Sequence, residues 1–337
     1  MQRSTVYILF TLSLGFAWFL FLLTPASSGY DYHAITISEG EGFQTIAATL
    51  GSEGLVRSPR AFMIYALLTG AAHQLKPGNY GLSAGSSTPA ILGTIEAGPS
   101  ADVSVVIPEG ATVRDIDTLL ARAGILPPGS VTGFPVARLA AQYPFLADQS
   151  SFEGFLFPDT YRFFKNSETE TVLKKFLDTF TAKAWPVLAK CQLSRISCGG
   201  FTVKQVLTIA SLLEKEAPKY HDRQIIAGII DKRLSSGMGL HIDATITYAK
   251  CAGAFTTCAD PKVYRTDLGY ASPYNTYVHA GLPPGPIANP GLEAIQAALS
   301  PVATSYWYYL SDPRTGRMIY SETLDEQNNN RAIYLGV

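Results

Sequence analysis

"TISEGEGFQTIAATLGSEGLV" (Thr36 to Val56) and "VIPEGATVRDIDTLLARAGIL" (Val106 to Leu126) align without a gap. Ile37 matches Ile107, Glu39 and Gly40 match Glu109 and Gly110, Ile46 matches Ile116, Leu50 matches Leu120, and Gly54 matches Gly124. Each copy reads as a strand, a Glu-Gly turn, and a helix whose apolar residues recur three or four apart and which stops at glycine. Two related units of strand and helix are therefore expected, one over 31–100 and one, with a linker, over 101–150. From about Ser151 the sequence becomes dense in aromatic, charged, Gly and Pro residues, and 151–337 reads as one larger C-terminal domain. The expected fold class is α+β: two small α+β repeats and a C-terminal α+β domain.

The chain has 337 residues, 47% of them hydrophobic and 16% charged, enough for two or three domains with real cores. A formal net charge of −1 and the lack of a basic run argue against nucleic acid as the partner, because phosphate binding needs concentrated Lys and Arg. Thr5 to Thr24 runs twenty residues without a charge, the length that crosses a bilayer core of about 30 Å at about 1.5 Å per residue. A cleaved signal peptide has an apolar region of only about 7–15 residues, so residues 1–30 read as a short cytoplasmic leader and an uncleaved transmembrane anchor. Arg3 precedes the apolar run and no Lys or Arg follows until Arg57. That asymmetry predicts a single-pass protein of the cell (inner) membrane with its bulk outside the cytoplasm, periplasmic or extracytoplasmic. Cys191 with Cys198 and Cys251 with Cys258 each enclose six residues, which suggests two local disulfides in an oxidising compartment. Paired zinc ligands more typically enclose two to four residues, so metal is the weaker reading and none is expected.

In "FTVKQVLTIASLLEKEAPKY" (Phe201 to Tyr220), Val206, Ile209, Leu213, Glu216 and Ala217 fall on one helical stripe. Glu216 thus sits among apolar side chains, where desolvation disfavours its charged form and keeps a proton available. It is the candidate general acid. Glu214 lies about 200° around the axis, directed toward Lys215 or solvent. Glu153 and Asp159 in "FEGFLFPDTYRF" (Phe152 to Phe163) are candidates for a second carboxylate, against capping or turn roles in an aromatic loop. Arg223 and Arg233 read as ion-pair partners of Glu214, Asp222 or Asp231. Gly81-Leu82-Ser83-Ala84-Gly85 matches the nucleophile-elbow pattern formally, but it lacks the helix that must follow at once, so the match is chance.

"EGFLFPDTYRF", "IASLLEKEA", "DKRLSSGMGLHIDATITYA" and "SPYNTYVHAGLPPGPIANPG", in this order, resemble the YceG-like family, and with the anchor and repeats the resemblance covers nearly the whole chain. Lys232, His241 and Ala244 depart from the residues expected there, namely Asn, Gln and Pro. The resemblance implies an endolytic murein transglycosylase. Such an enzyme cleaves glycan strands of peptidoglycan between N-acetylmuramic acid and N-acetylglucosamine, within nascent strands, and leaves 1,6-anhydromuramoyl ends. It also implies that Glu216, the second glutamate of "EKE", is catalytic, the residue that the stripe singles out independently. No cofactor is implied. Peptidoglycan is the expected partner, with cell-wall synthases as candidate protein partners.

Tyr274, Asn275 and Tyr277 read as sugar contacts, since aromatic faces pack on sugar rings and amides bond hydroxyl and acetamido groups; Asp243 and Tyr248 read as cleft-lining. Strand, turn, helix and a returning apolar segment is also the plan of LysM modules, so the repeats look LysM-like, with packing spacers as the alternative. Two rivals to the lytic reading stand: a muramidase that uses water through a second carboxylate, and a non-catalytic, glycan-binding scaffold.

Overall fold

The computed structural model describes residues 2–27, 32–99, 102–165, 167–193 and 198–336, and of residues 2–10, 12, 32, 34, 102 and 192 only the backbone. Two compact units are present: Met1–Val103 with Arg162–Thr171, and Ser104–Tyr161 with Val172–Val337.

The first unit contains α1 (Gln2–Leu22), β1 (Tyr32–Ile37), α2 (Phe43–Ser52), α3 (Pro59–Thr69), β2 (Gly78–Ser83) and α4 (Thr88–Ala97). The expected Glu-Gly turn is there: Gly40 takes φ +78°, a left-handed conformation that glycine adopts without strain. β1 and β2 pair antiparallel, with Ile35 opposite Tyr80. Ile35, Ile46, Leu50, Phe62, Tyr80 and Ile91 form the core beneath them. Ser83 is buried at the end of β2, and its Oγ accepts the Gly85 N–H at 3.1 Å, so it closes a turn instead of presenting a nucleophile. The transmembrane anchor expected over Thr5 to Thr24 is not borne out. Among the described residues no helix is long and apolar enough to cross a membrane, and the side chains of residues 2–10 and 12 lie outside those described.

The second unit begins with β3 (Asp102–Val106) and α5 (Val113–Arg122), the other copy of the repeat, again with a left-handed glycine, Gly110 at φ +76°. Here a capping box closes the helix start: the Thr112 side chain accepts the Asp115 N–H and Asp115 accepts the Thr112 N–H. α6 (Ala137–Ala140), β4 (Thr160–Phe164), α7 (Thr169–Lys183) and α8 (Trp185–Leu193) follow. β3 pairs with β4, and the division between the units falls within both strands. The second repeat thus belongs to the same unit as residues 172–337.

At the centre of this unit lies α9 (Val203–Glu216), against which α10 (Tyr220–Ser235), α11 (Asp243–Lys250) and α12 (Leu292–Leu299) pack. Every residue of α9 from Val206 to Leu213 is buried. α9 is therefore a core helix covered on all sides, which corrects the one-sided stripe read from the sequence. A two-stranded antiparallel ribbon, β5 (Tyr308–Ser311) and β6 (Met318–Ser321), leads into α13 (Leu324–Leu335). Disulfides join Cys191 to Cys198 and Cys251 to Cys258, with Cα separations of 5.4 and 5.3 Å.

Candidate active site

The three charges of Glu214-Lys215-Glu216 end a buried helix, and each leaves it in a different direction. Glu214 does not turn to solvent: its Oε1 meets Arg223 Nη2 at 2.5 Å, both side chains 5% exposed, and its Oε2 accepts the Gly291 N–H at 2.9 Å. Covered on all sides, α9 offers Glu214 no solvent face, so the charge is met by a buried guanidinium instead. Lys215 lies over the Phe255 ring at 4.1 Å. Glu216 faces a cavity of about 850 Å³. The helix stops at once beyond it, because Ala217 is extended (φ −145°, ψ 137°) ahead of Pro218.

Burial raises the Glu216 carboxyl to about 7, the Tyr309 hydroxyl beside it pulls it down, the Asp243 charge pushes it up and Arg233 pulls it down. Near neutral pH such a group both gives and retakes a proton. Asp243, the first residue of α11, also lines the cavity and accepts a 2.6 Å hydrogen bond from the Tyr277 hydroxyl. His241 stacks on Tyr277 with ring centroids 4.9 Å apart and holds a left-handed φ of +52°.

α10 places Tyr309. Gly228 sits where an added Cβ would stand 2.0 Å from the Val302 carbonyl oxygen, so only glycine lets residues 302–307 lie against this helix. One turn on, Lys232 Nζ donates to the Ser305 carbonyl at 2.7 Å and Arg233 Nε to the Trp307 carbonyl at 2.9 Å. Arg233 also donates to the Leu240 carbonyl, so it clamps two chain segments and forms no ion pair with Asp222 or Asp231. β5 then carries Tyr308 and Tyr309 onto the cavity wall.

Asp243 and Tyr277 thus join Glu216, while the other sequence candidates do not line this cavity. Glu153 is buried among donors: the Val113 N–H at 3.1 Å, Asn289 Nδ2 at 3.2 Å and the Tyr248 hydroxyl at 3.2 Å. Burial raises it to about 8, with the Val113 N–H and Tyr248 hydroxyl pulling it down. It ties the start of α5 to the 289 loop. Tyr248 and Tyr274 pack on each other at 4.9 Å. Asp159 holds Lys183 Nζ at 2.6 Å and the Thr160 N–H at 2.8 Å, a turn role. Asn275 is fully buried. Its Nδ2 donates to the Leu268 and Tyr270 carbonyls at 3.0 and 2.9 Å and its Oδ1 accepts the Tyr277 N–H, so it shapes the loop beneath Tyr277 and offers nothing to a sugar. Among the described residues no three His, Cys, Asp or Glu side chains gather to hold a metal.

The profile of the YceG-like family matches residues 35–333. The chain belongs to the YceG-like family. An endolytic murein transglycosylase of Bacillus subtilis (strain 168) is 30% identical over 317 residues, 89% of this chain and 84% of that protein. One from Streptococcus pneumoniae (strain D39) is 29% identical over 347 residues, covering 94% of this chain; the YceG-like chain spans only 61% of that relative's length. A 2.6 Å crystal structure of a YceG-like protein from Listeria monocytogenes shares the fold with a TM-score of 0.57 at 30% identity, covering 89% of this chain and 99% of that one.

Sequence reasoning missed three parts of this YceG-like site. The alternating run "SYWYYLSD" (Ser305 to Asp312) predicts a strand and no role for Tyr309, the charge of Arg233 predicts only an ion pair, and α13 gives no sequence signal. The alternation in "SYWYYLSD" was the one available signal for Tyr309, since it marks a two-faced strand.

Proposed function

We propose that this chain is a peptidoglycan lytic transglycosylase that cleaves within glycan strands, with Glu216 as its acid and base. One observation carries the reading: a carboxyl raised to about 7 on the wall of a cavity of about 850 Å³. The relatives named as endolytic murein transglycosylases supply the substrate class. Protonated Glu216 donates to the glycosidic oxygen as the bond to the muramoyl C1 breaks. The resulting carboxylate takes the proton of the muramoyl C6 hydroxyl while that oxygen closes on C1. The proton count balances and no water is consumed. Tyr309 and Arg233 steady the ionised form between the two transfers.

A second reading has its own support. Asp243 lines the same cavity, so a muramidase would find there the second carboxylate that hydrolysis needs. Neither Glu153 nor Asp159 fills that role. The proposal extends to placement: the uncharged run Thr5 to Thr24, part of whose side chains lie outside those described, anchors the chain in a membrane, with the remainder outside the cytoplasm and the repeats acting as LysM-like glycan-holding units. Support for the anchor is the uncharged run Thr5 to Thr24 and the exposure of Leu14, Phe16 and Trp18 on α1. The two disulfides agree with an oxidising compartment.

Purified full-length protein incubated with peptidoglycan tests the enzyme against a scaffold. Wild type is expected to release soluble glycan fragments and Glu216→Gln to release none above background. Binding without release by wild type would leave only the scaffold.

A further inference from the structure

α13 forms one wall of the Glu216 cavity although none of its residues is buried. Leu324, Gln327, Asn328, Arg331 and Leu335 line it, the spacing of a single helical stripe. The helix is fastened to the ribbon at its first turns: Thr323 caps it, Gln327 Nε2 donates to the Tyr309 carbonyl at 3.0 Å, and Asn330 Nδ2 donates to Ser321 Oγ at 3.0 Å. Gln327 is thus engaged, and Arg331, one turn farther on, projects from the same stripe.

Another part of the wall comes from Tyr264, Arg265 and Leu268. Its short 3-10 turn, Arg265–Gly269, is held by Asp267, which pairs with Lys250 Nζ at 2.9 Å and accepts the Tyr264 N–H at 3.0 Å. Asn275 pins the same segment through Leu268 and Tyr270. Arg265 and Arg331 are both exposed, and among the described residues neither guanidinium has a hydrogen-bond or ion-pair partner. Two arginines, free of carboxylates of their own, border a cavity whose remaining arginine, Arg233, is already committed to backbone carbonyls.

We infer that Arg331 and Arg265 form a carboxylate-binding subsite that takes the acidic peptide carried by the muramoyl residue, so that the cavity selects peptide-bearing over peptide-free glycan. A neutral sugar needs amides and aromatic faces, which Asn328, Tyr277 and Tyr264 supply. Two free guanidiniums match carboxylates instead, each with a planar fork of donors. The muramoyl lactyl group is where such carboxylates leave the glycan, and it belongs to the residue whose C1 reacts. The subsite rests on the peptidoglycan reading above, and its test separates from that reading.

Full-length Glu216→Gln protein is titrated by calorimetry with two glycan fragments of equal length, one carrying its peptides and one stripped of them. The peptide-bearing fragment is expected to bind about 10-fold more tightly, the worth of one or two charge-assisted hydrogen bonds at an exposed site. Arg331→Gln and Arg265→Gln, each placed in the same background, are expected to remove most of that preference. Arg331→Lys keeps the charge without the fork and should retain part of it, and added salt should narrow it. Equal affinity for the two fragments, or a preference that survives both arginine replacements, overturns the subsite. Failure to bind either fragment overturns the subsite and the peptidoglycan reading together. A preference that disappears with the arginines supports the subsite even where wild type cleaves nothing, which would overturn the enzymatic reading alone.

Discussion

The acid role proposed for Glu216 requires a proton on its carboxyl, so burial among α9, Tyr309 and Arg233 should set the alkaline limb of the activity profile near pH 7. Tyr309→Phe removes the hydroxyl that pulls this carboxyl down, and the limb is expected to move to higher pH; a limb that stays in place or moves down would show that the hydroxyl does not act on Glu216. Glu216→Gln keeps the shape and removes the proton, so turnover should fall by about 100-fold to 10,000-fold. Stability should change in the opposite sense. The folded carboxyl keeps its proton from the ordinary value of 4.5 up to about 7 while the unfolded one has lost it. Wild type therefore loses stability as pH rises through that window and does not regain it above. Glutamine carries no such penalty, and thermal melts at pH 7.5 should show the variant equal to or more stable than wild type. The placement of Glu216 with Ile209 and Leu213 was legible because three-and-four spacing is local. Tyr309 was not, because only the pairing of β5 with β6 and the seat of residues 302–307 on α10 bring it to the acid.

The element α9 shows where periodicity misleads. A stripe argument assumes one covered face and one wet face, yet Val206 to Leu213 are buried throughout, so Glu214 had no solvent to turn to. Its place is taken by a buried ion pair whose Arg223 Nη1 has no hydrogen-bond partner and faces only the exposed Glu293 carboxylate at 3.9 Å. Glu214→Gln removes the charge facing that guanidinium and is expected to cost about 3–5 kcal/mol in urea unfolding. A loss under about 1 kcal/mol would mean that the pair is solvated in solution. α10 makes a second claim on the same footing. Gly228→Ala must displace the Val302 carbonyl, which an added Cβ would approach to 2.0 Å, and the displaced segment runs on to Tyr309. The variant should lose both melting temperature and activity, whereas exposed Gly237, at a helix end with open space around it, should tolerate only the backbone strain of its positive φ. The repeat elements were legible from matched glycines at the turns; α13 was not, because a polar helix with no buried side chain carries no apolar period to detect.

Across the whole molecule, the disulfides and the α+β class were readable from sequence because both are set by short spacings. The assignment of the second repeat to the larger unit was not, since it depends on contacts between residues such as Val113 and Glu153 that lie 40 apart in the chain. Each disulfide spans a sequence separation of only 7, and removing one pair of cysteines should cost no more than about 2–3 kcal/mol and leave the fold intact. The proposed chemistry needs neither disulfide, only one carboxyl group that acts twice. Mass spectrometry of the ends that full-length protein produces from intact glycan strands tests that claim most directly. The account predicts 1,6-anhydromuramoyl ends, one water lighter than reducing ends, formed by wild type and absent with Glu216→Gln. Reducing muramoyl ends that take their oxygen from labelled water, and that vanish with Asp243→Asn, would contradict it and make Asp243 the second acid of a hydrolase.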